Sequence, residues 1–495
     1  MKKGVKIFLI IIGIVISFFA LLAISLVLIF FYFKGAFSGG NLDGFFLRNS
    51  FIQNKIVEVI GEDKRDLVEL SPSLLGLEQP MTYLVLFLNN TELRPGGGFI
   101  GSYAIIRLDQ GNVSVLTVEG TENLDGRSPE SWNIQPPKYL QAPLGVDRWY
   151  FRDSNWSIDF PTNAQRALEF YKGEGGEYAE SIDAVIAFTP TVLEKVLTLT
   201  GPIHVDGIEF TSENVVETLE YEVEYGYEKH GIQFEQRKAI MGRLLTEIQT
   251  EMKGHFVEDV GEYLGTFEDM LVQKHILMYF KSDEIQAVME QHNYDGRVIV
   301  GGGDYFLWAD ANLSALKTDH ALERELVYTI SKEEGKYIGR VTMNYTHTGS
   351  FDWRTSRYRT FARIFVPQGS KLIEVQGGKP WAQVRDLGKS FIGQELGLTW
   401  FGVYAEFEPQ TDHRVTFVFE LSDDIVADIE SGDYHLKVQK QLGTVDHSLT
   451  LDLNFDKNVV QAHPAEEQKF WGDDRYQVWT GLGIDREFSV KIENE

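Results

Sequence analysis

The chain has 495 residues, 43% hydrophobic and 13% aromatic, with 46 Lys+Arg against 73 Asp+Glu and no cysteine. That length predicts two or three domains, and the composition is that of a folded chain. The formal charge of −27 disfavours nonspecific nucleic-acid binding and broad adhesion to anionic headgroups, and the lack of cysteine excludes disulfides, thiolate metal sites and Cys nucleophiles.

The N-terminal stretch "MKKGVKIFLIIIGIVISFFALLAISLVLIFFYFKG" carries no charge between Lys6 and Lys34. Residues 7–33 would span ~40 Å as a helix, enough to cross a bilayer with tilt. Lys2, Lys3 and Lys6 precede the run, so the positive-inside bias predicts a cytoplasmic tail over 1–6, a transmembrane helix over 7–33 and an extracytoplasmic remainder. A helical stalk follows over 34–79, broken by Pro72 and Pro80.

From Met81 the pattern changes. "TYLVLFL", "SYAIIRL" and "VSVLTVE" read as strands, the last two joined by a "DQGN" turn. A helix is expected to start near Pro161. "DAVIAF" is a strand, "TVLEKVLTLTG" a helix stopped by Gly201, and "PIHVDGIEF" a hairpin turning on Asp206-Gly207. Two long helices follow, one from near Ser212 and one over "FEQRKAIMGRLLTEIQTEM". Alternating elements predict a layered α/β (α+β) domain over 80–320. Past Ala321, "YIGRVTMNYTH", "RYRTFARIFV", "HRVTFVFEL" and similar runs alternate between turn residues, which predicts an all-β sandwich of the immunoglobulin-like kind over 321–495.

No HExxH, Walker A or nucleophile-elbow motif occurs, and the 11 histidines are scattered. Arginines and carboxylates in unusual settings remain. Arg94 ends a strand and precedes Pro95 and the run Gly96, Gly97, Gly98. A guanidinium fork beside glycine-rich backbone suits phosphate oxygens. Arg152, Asp153 and Asn155 stand in "RDSNWSIDFP", which ends in Asp159 before a helix, and Arg237 opens the second long helix. Asp153 and Asp159 could hold Mg²⁺ beside a phosphate. The structural alternative is equally concrete: Arg94 pairs with Glu92 or Glu119, and "RDSNW" is a hydrogen-bonded loop that ties the domain together. Trp353, in "DWRTSRYR", could stack on a sugar or fill a sandwich core.

"NNTELRPGGGFIGSYAIIRLDQGNVSVLTVEG", "FRDSNWSIDFPTNAQRALEFY", "IDAVIAFTPTVLEKVLTLTGPIHVDG" and "DYFLWADANLSALKTD" resemble the bacterial membrane proteins grouped as domain of unknown function 4012. That resemblance implies no activity. More distantly, the order of elements from "IDAVIAF" to "GIQFEQRKAIMGRLL" is similar to the LytR–CpsA–Psr family, single-pass extracytoplasmic enzymes that transfer glycopolymers from a polyprenyl diphosphate lipid with Mg²⁺. This second resemblance implies that Arg94 and Arg237 contact the diphosphate and that Ser102 stands where the family has an aspartate. The family's Ser-Ile-Pro-Arg-Asp segment is replaced by "TVEGTEN", a gap that Arg152 and Asp153 could fill in space. The expectation is a membrane-anchored cell-envelope protein that binds or transfers a polyprenyl-diphosphate-linked glycopolymer. The alternative is a non-catalytic surface, adhesion or assembly scaffold. Arg94, Arg152, Asp153 and Arg237 are the candidate catalytic groups; Gly96, Gly97, Gly98, Ser102 and Asn155 are the candidate ligand contacts.

Overall fold

In a computed structural model the described residues are 50–110, 112–229, 231–233 and 239–493. The membrane span expected over 7–33 and the Arg237 segment lie outside them. Among the described residues no helix is long and apolar enough to cross a membrane. The chain is a mixed α/β protein with several sheets, and it divides into two compact units that interleave in sequence. Of the described residues, one takes those in 50–88, 100–129 and 164–296; the other takes those in 89–99, 130–163 and 297–493.

The first unit is built on β1 (Met81–Asn89), β2 (Phe99–Asp109), β3 (Asn112–Gly120), β4 (Ala184–Phe188) and β7 (Ile276–Phe280), in the order β3-β2-β1-β4-β7. β1 and β4 are parallel, with Tyr83 opposite Ala184, while β2–β3 and β4–β7 are antiparallel. The central strands β1 and β4 are buried along nearly their whole length, which is why "TYLVLFL" and "DAVIAF" read as continuous apolar runs rather than alternating ones. Around the sheet lie α1 (Ser50–Ile60), α2 (Arg65–Leu74), α3 (Thr121–Gly126), α6 (Thr191–Thr200), α7 (Val215–Tyr221), α8 (Ala239–Val272) and α9 (Asp283–Gln291). Its core joins Tyr83, Val85, Ile106, Ile186 and Met278 of the sheet to Ile56, Val68 and Met289 of the helices. α6 ends at Gly201 with φ 78°, and the hairpin of β5 (Ile203–Val205) and β6 (Ile208–Phe210) turns on Asp206 and Gly207 with φ 54° and 81°. Positive φ at both positions is what an Asp-Gly hairpin turn supplies.

The second unit holds a six-stranded and a seven-stranded sheet. The first is ordered β12-β15-β10-β9-β17-β19, the second β13-β14-β11-β8-β16-β20-β18, where β12 is Lys371–Gln376, β13 Phe391–Glu395, β15 Asp412–Glu420, β18 Val459–His463 and β20 Arg486–Ile492. The strands that matter below are β8 (Asp304–Ala309), β9 (Leu322–Glu333), β10 (Lys336–His347), β11 (Tyr358–Pro367), β14 (Leu398–Phe407), β16 (Asp433–Val438), β17 (Ser448–Asn454) and β19 (Arg475–Gly481). One core takes Phe306, Ile364, Phe401 and Leu436 from the larger sheet and Leu326, Val341, Phe417 and Leu451 from the smaller. Side chains from both inner faces fill a common layer, as two stacked sheets require. On the other side of the larger sheet, Trp156, Leu307, Phe361, Phe365, Trp400 and Tyr404 form a second, aromatic cluster. Residues 89–99 and 130–163, which bear the glycine run and "RDSNWSIDFP", belong to this unit.

Candidate functional site

The glycine run begins where β1 gives way to a loop. Asn89 Oδ1 accepts from the Thr91 amide (3.0 Å) and hydroxyl (2.7 Å), an Asx turn that reverses the chain. The Gly97 amide then donates to the Arg94 carbonyl (3.0 Å) and the Phe99 amide to the Glu92 carbonyl (2.9 Å). The Gly96 amide donates to the Asn155 carbonyl (3.1 Å), and Asn155 Nδ2 donates to the Gly98 carbonyl (2.6 Å). A Cβ on Gly96 would lie 2.6 Å from the Asn155 carbonyl and 2.5 Å from Asn163 Nδ2, and one on Gly98, whose φ is 145°, would lie 2.5 Å from the Asn89 carbonyl. At these two positions glycine allows backbone to meet backbone.

Arg94 points inward and is 2% exposed. Its Nη2 lies 3.2 Å from Glu92 and its Nε 3.3 Å from Asp153, while Nη1 donates to the Asn312 carbonyl. The Phe99 ring lies 5.4 Å from the guanidinium carbon. Burial alone would pull the arginine's pKa down, but Glu92 and Asp153 outweigh it and the net shift is upward. Burial raises the pKa of Glu92, against the pull of Arg94. Each face of this fork is therefore committed to the protein's own oxygens.

The knot extends further. Asn312 and Asp319 hold the glycine-run loop through its backbone: the Asn312 amide donates to the Leu93 carbonyl (2.9 Å), the Leu93 amide to Asp319 Oδ2 (3.1 Å), and the Asp319 amide to the Thr91 carbonyl (3.1 Å). Gln441 Nε2 donates to the carbonyls of Arg94 (3.1 Å) and Asp310 (2.8 Å). A second buried arginine, Arg324, bridges Asp310 (3.1 Å) and Asp319 (2.5 Å). Tyr345 and Thr360 donate to Asp310 and Tyr358 donates to Asp319. Buried carboxylates saturated in this way lock a core; a half-satisfied set would be worse than an apolar one.

After α4 (Lys138–Leu144), Asp159 is the N-cap of the helix α5 (Phe160–Gly173): its Oδ2 accepts from the Thr162 amide (2.9 Å) and hydroxyl (2.6 Å). Its Oδ1 accepts from the Val298 amide (2.9 Å). With Asp153 on Arg94 and both Asp159 oxygens on backbone, the pair does not fit a Mg²⁺ site, which needs carboxylates open to metal and water. Among the described residues no group of three or more His, Asp or Glu is placed to hold a metal. Arg152 is half-buried, with its guanidinium carbon 5.8 Å from the Tyr150 ring. Asn155 is buried, and its Oδ1 has no partner among the described residues. Arg237 lies outside the described residues. Ser102 belongs to the first unit, on β2 opposite Gly120 of β3. Arg94, Asp153, Asn155 and the three glycines are thus brought together in one unit, in a sealed polar core.

The first unit has a half-open group of its own at the same end of β2 and β3. Tyr103 lies opposite Glu119 and donates to it, and Arg127, which follows α3, grips both Glu119 oxygens, at 2.7 Å for Oε2. Arg127 is 42% exposed on its side chain. Burial raises Glu119, but Arg127 and Tyr103 outweigh it and hold the carboxyl below the usual range. Sequence reading passed over Arg127, since it falls seven residues past the strand end. Asp310, Asn312 and Asp319 were also missed as site residues, although all three stand in "DYFLWADANLSALKTD". The first unit also has a partly open pocket of about 190 Å³ lined by Asp206, Ile208, Glu222, Tyr227, Ile240 and Arg243 among others; Arg243 closes on Asp206 at 2.7 Å.

Residues 78–224 match the model of a family described as "Protein of unknown function (DUF4012)". No curated protein matches the chain. Among solved structures, native leukotriene A4 hydrolase from Saccharomyces cerevisiae is similar over 34% of this chain and 28% of its own, at 12% identity and a TM-score of 0.20. The matched part is 28% of that enzyme's length, and a likeness this partial bears on neither fold nor chemistry.

Proposed function

We propose that this is a membrane-anchored, extracytoplasmic cell-envelope protein that works as a non-catalytic binding or assembly scaffold. One observation carries the reading: Arg94, the arginine best placed by sequence to meet a diphosphate, is buried with its fork filled by Glu92, Asp153 and the Asn312 carbonyl. An anion would have to displace the buried Asp153 and the half-buried Glu92 to reach it, which costs more than surface anion binding returns. The anchor at 7–33 and the bilayer as its partner are part of the proposal and rest on the apolar run and its flanking lysines. The β-sheet unit is then the adhesion or assembly module, and its kinship to immunoglobulin-like sandwiches belongs to the same reading.

A second reading, transfer from a polyprenyl diphosphate as in the LytR–CpsA–Psr family, is favoured by Arg127. It places a half-exposed guanidinium on Tyr103 and Glu119, at the strand end where that family's Arg-Asp segment is missing. The test is Mg²⁺-dependent binding of a polyprenyl diphosphate to the full chain, wild type against Arg127→Ala. The scaffold reading expects no Mg²⁺-dependent binding. Tight binding that falls at least tenfold in Arg127→Ala would replace it with the transferase reading.

A further inference from the structure

We infer that the outer face of the six-stranded sheet, at its β19 edge, is a binding platform for a neutral glycan. β19 is an edge strand, and Trp479 stands on it 54% exposed. Beside it, Phe470 approaches the Trp479 ring at 5.5 Å, and Trp471 is 63% exposed with its Nε1–H donating to the Glu466 carbonyl (3.1 Å). Indoles this open on a folded surface mark a contact site rather than a core, and the hydrogen bond sets one of them in a fixed orientation. The neighbours of Trp479 on the sheet face are polar. Thr450 of β17 lies opposite it, and Gln477 and Asp452 form the next pair along.

Flat aromatic faces ringed by hydroxyl, amide and carboxylate groups match a sugar, whose ring has an apolar C–H face and a hydrogen-bonding edge. Two other occupants fit less well. An added β-strand would need the edge amides of β19, but Arg475 N–H already donates to Asp473 (2.9 Å) and Gln477 N–H to Glu466 (2.6 Å). A protein partner would need more area: two indoles of roughly 150–250 Å² each, a little over half uncovered, beside the half-buried Phe470 whose ring carries the Lys469 ammonium at 4.6 Å, present on the order of 250 Å², against ~800 Å² per side in a standard interface. The charge selects among glycans. A chain at −27 repels an anionic polymer, and the nearby Arg475 and Lys469 are paired with Asp452 (3.3 Å) and Glu467 (2.9 Å). Trp353, the aromatic singled out in the sequence, is half-buried in the β10–β11 connection and is not part of this platform. The inference rests on neither the membrane anchor nor the state of Arg94.

The test is a tryptophan-fluorescence titration of the full chain in detergent micelles with chitohexaose and cellohexaose, and with polygalacturonate as the anionic polymer. Saturable binding to at least one neutral oligomer is expected, weakened about tenfold in Trp479→Ala and in Trp471→Ala, largely kept in Trp479→Tyr, and absent for polygalacturonate. Three results would overturn it: no binding of either neutral oligomer, binding unchanged in Trp479→Ala, or concentration-dependent self-association of the wild type that Trp479→Ala abolishes. Because both side chains are exposed, the variants are expected to keep the wild-type circular dichroism spectrum.

Discussion

Two arginines follow strand ends in this chain, and the protein treats them oppositely. Arg94 turns inward at 2% exposure and meets two carboxylates and a carbonyl, in a unit where a second arginine, Arg324, repeats the arrangement with Asp310 and Asp319. Arg127 stays half-open on a single carboxylate, Glu119. The residue type is the same, but the surroundings are not: a guanidinium in a sealed core is fixed by what it would leave unpaired, whereas one at the surface is free to exchange partners. An arginine beside a glycine run is therefore as good a sign of close backbone packing as of an anion site. The difference lies in whether the glycines face outward or receive another segment's carbonyl, as Gly96 does from Asn155.

The comparison can be strained first where the effect is largest. Arg94→Ala strands Asp153 in the core and leaves the half-buried Glu92 without its partner, and is expected to lower unfolding stability by about 3–5 kcal/mol, read by urea unfolding of the second unit's transition. Gly96→Ala forces a methyl against the Asn155 carbonyl and is expected to cost about 1–3 kcal/mol in the same assay. The third test uses pH. Asp304 is buried under the hydroxyls of Tyr328 (2.6 Å) and Tyr434 (2.7 Å), and burial raises its pKa. A raised carboxyl stabilises the fold while protonated, below its unfolded pKa of about 3.9, and loses that contribution as pH rises through the folded value. Asp304→Asn, always neutral, should thus cost more relative to wild type at pH 4 than at pH 7; an equal cost at both would remove the burial argument. The smallest effect belongs to the open arginine, where Arg127→Ala should change stability by less than about 1 kcal/mol.

The strand and helix pattern was readable because each element carries its own signal. The buried parallel pair β1 and β4 shows as unbroken apolar runs, α6 stops at Gly201, and the hairpin turns on Asp206-Gly207. The way the two units interleave was not readable, since nothing in the composition of residues 89–99 or 130–163 says which sheet they will pack against. The site was legible as a set of residues and not as an environment. "RPGGG" and "RDSNW" were picked out and do meet, Arg94 on Asp153 and Gly96 on Asn155, yet only the fold shows that Asn312, Asp319 and Gln441, more than 200 residues beyond the glycine run, seal that loop from outside.

A double-mutant cycle on Arg94→Ala and Asp153→Ala, followed by urea unfolding of the full chain, tests the central claim most directly. If Arg94 is committed to the protein's own core, the two changes couple by about 2 kcal/mol, because removing both partners costs less than the sum of removing each. Additive losses, with coupling near zero, would mean that the two groups do not hold each other, and Arg94 would again be a candidate for an external anion.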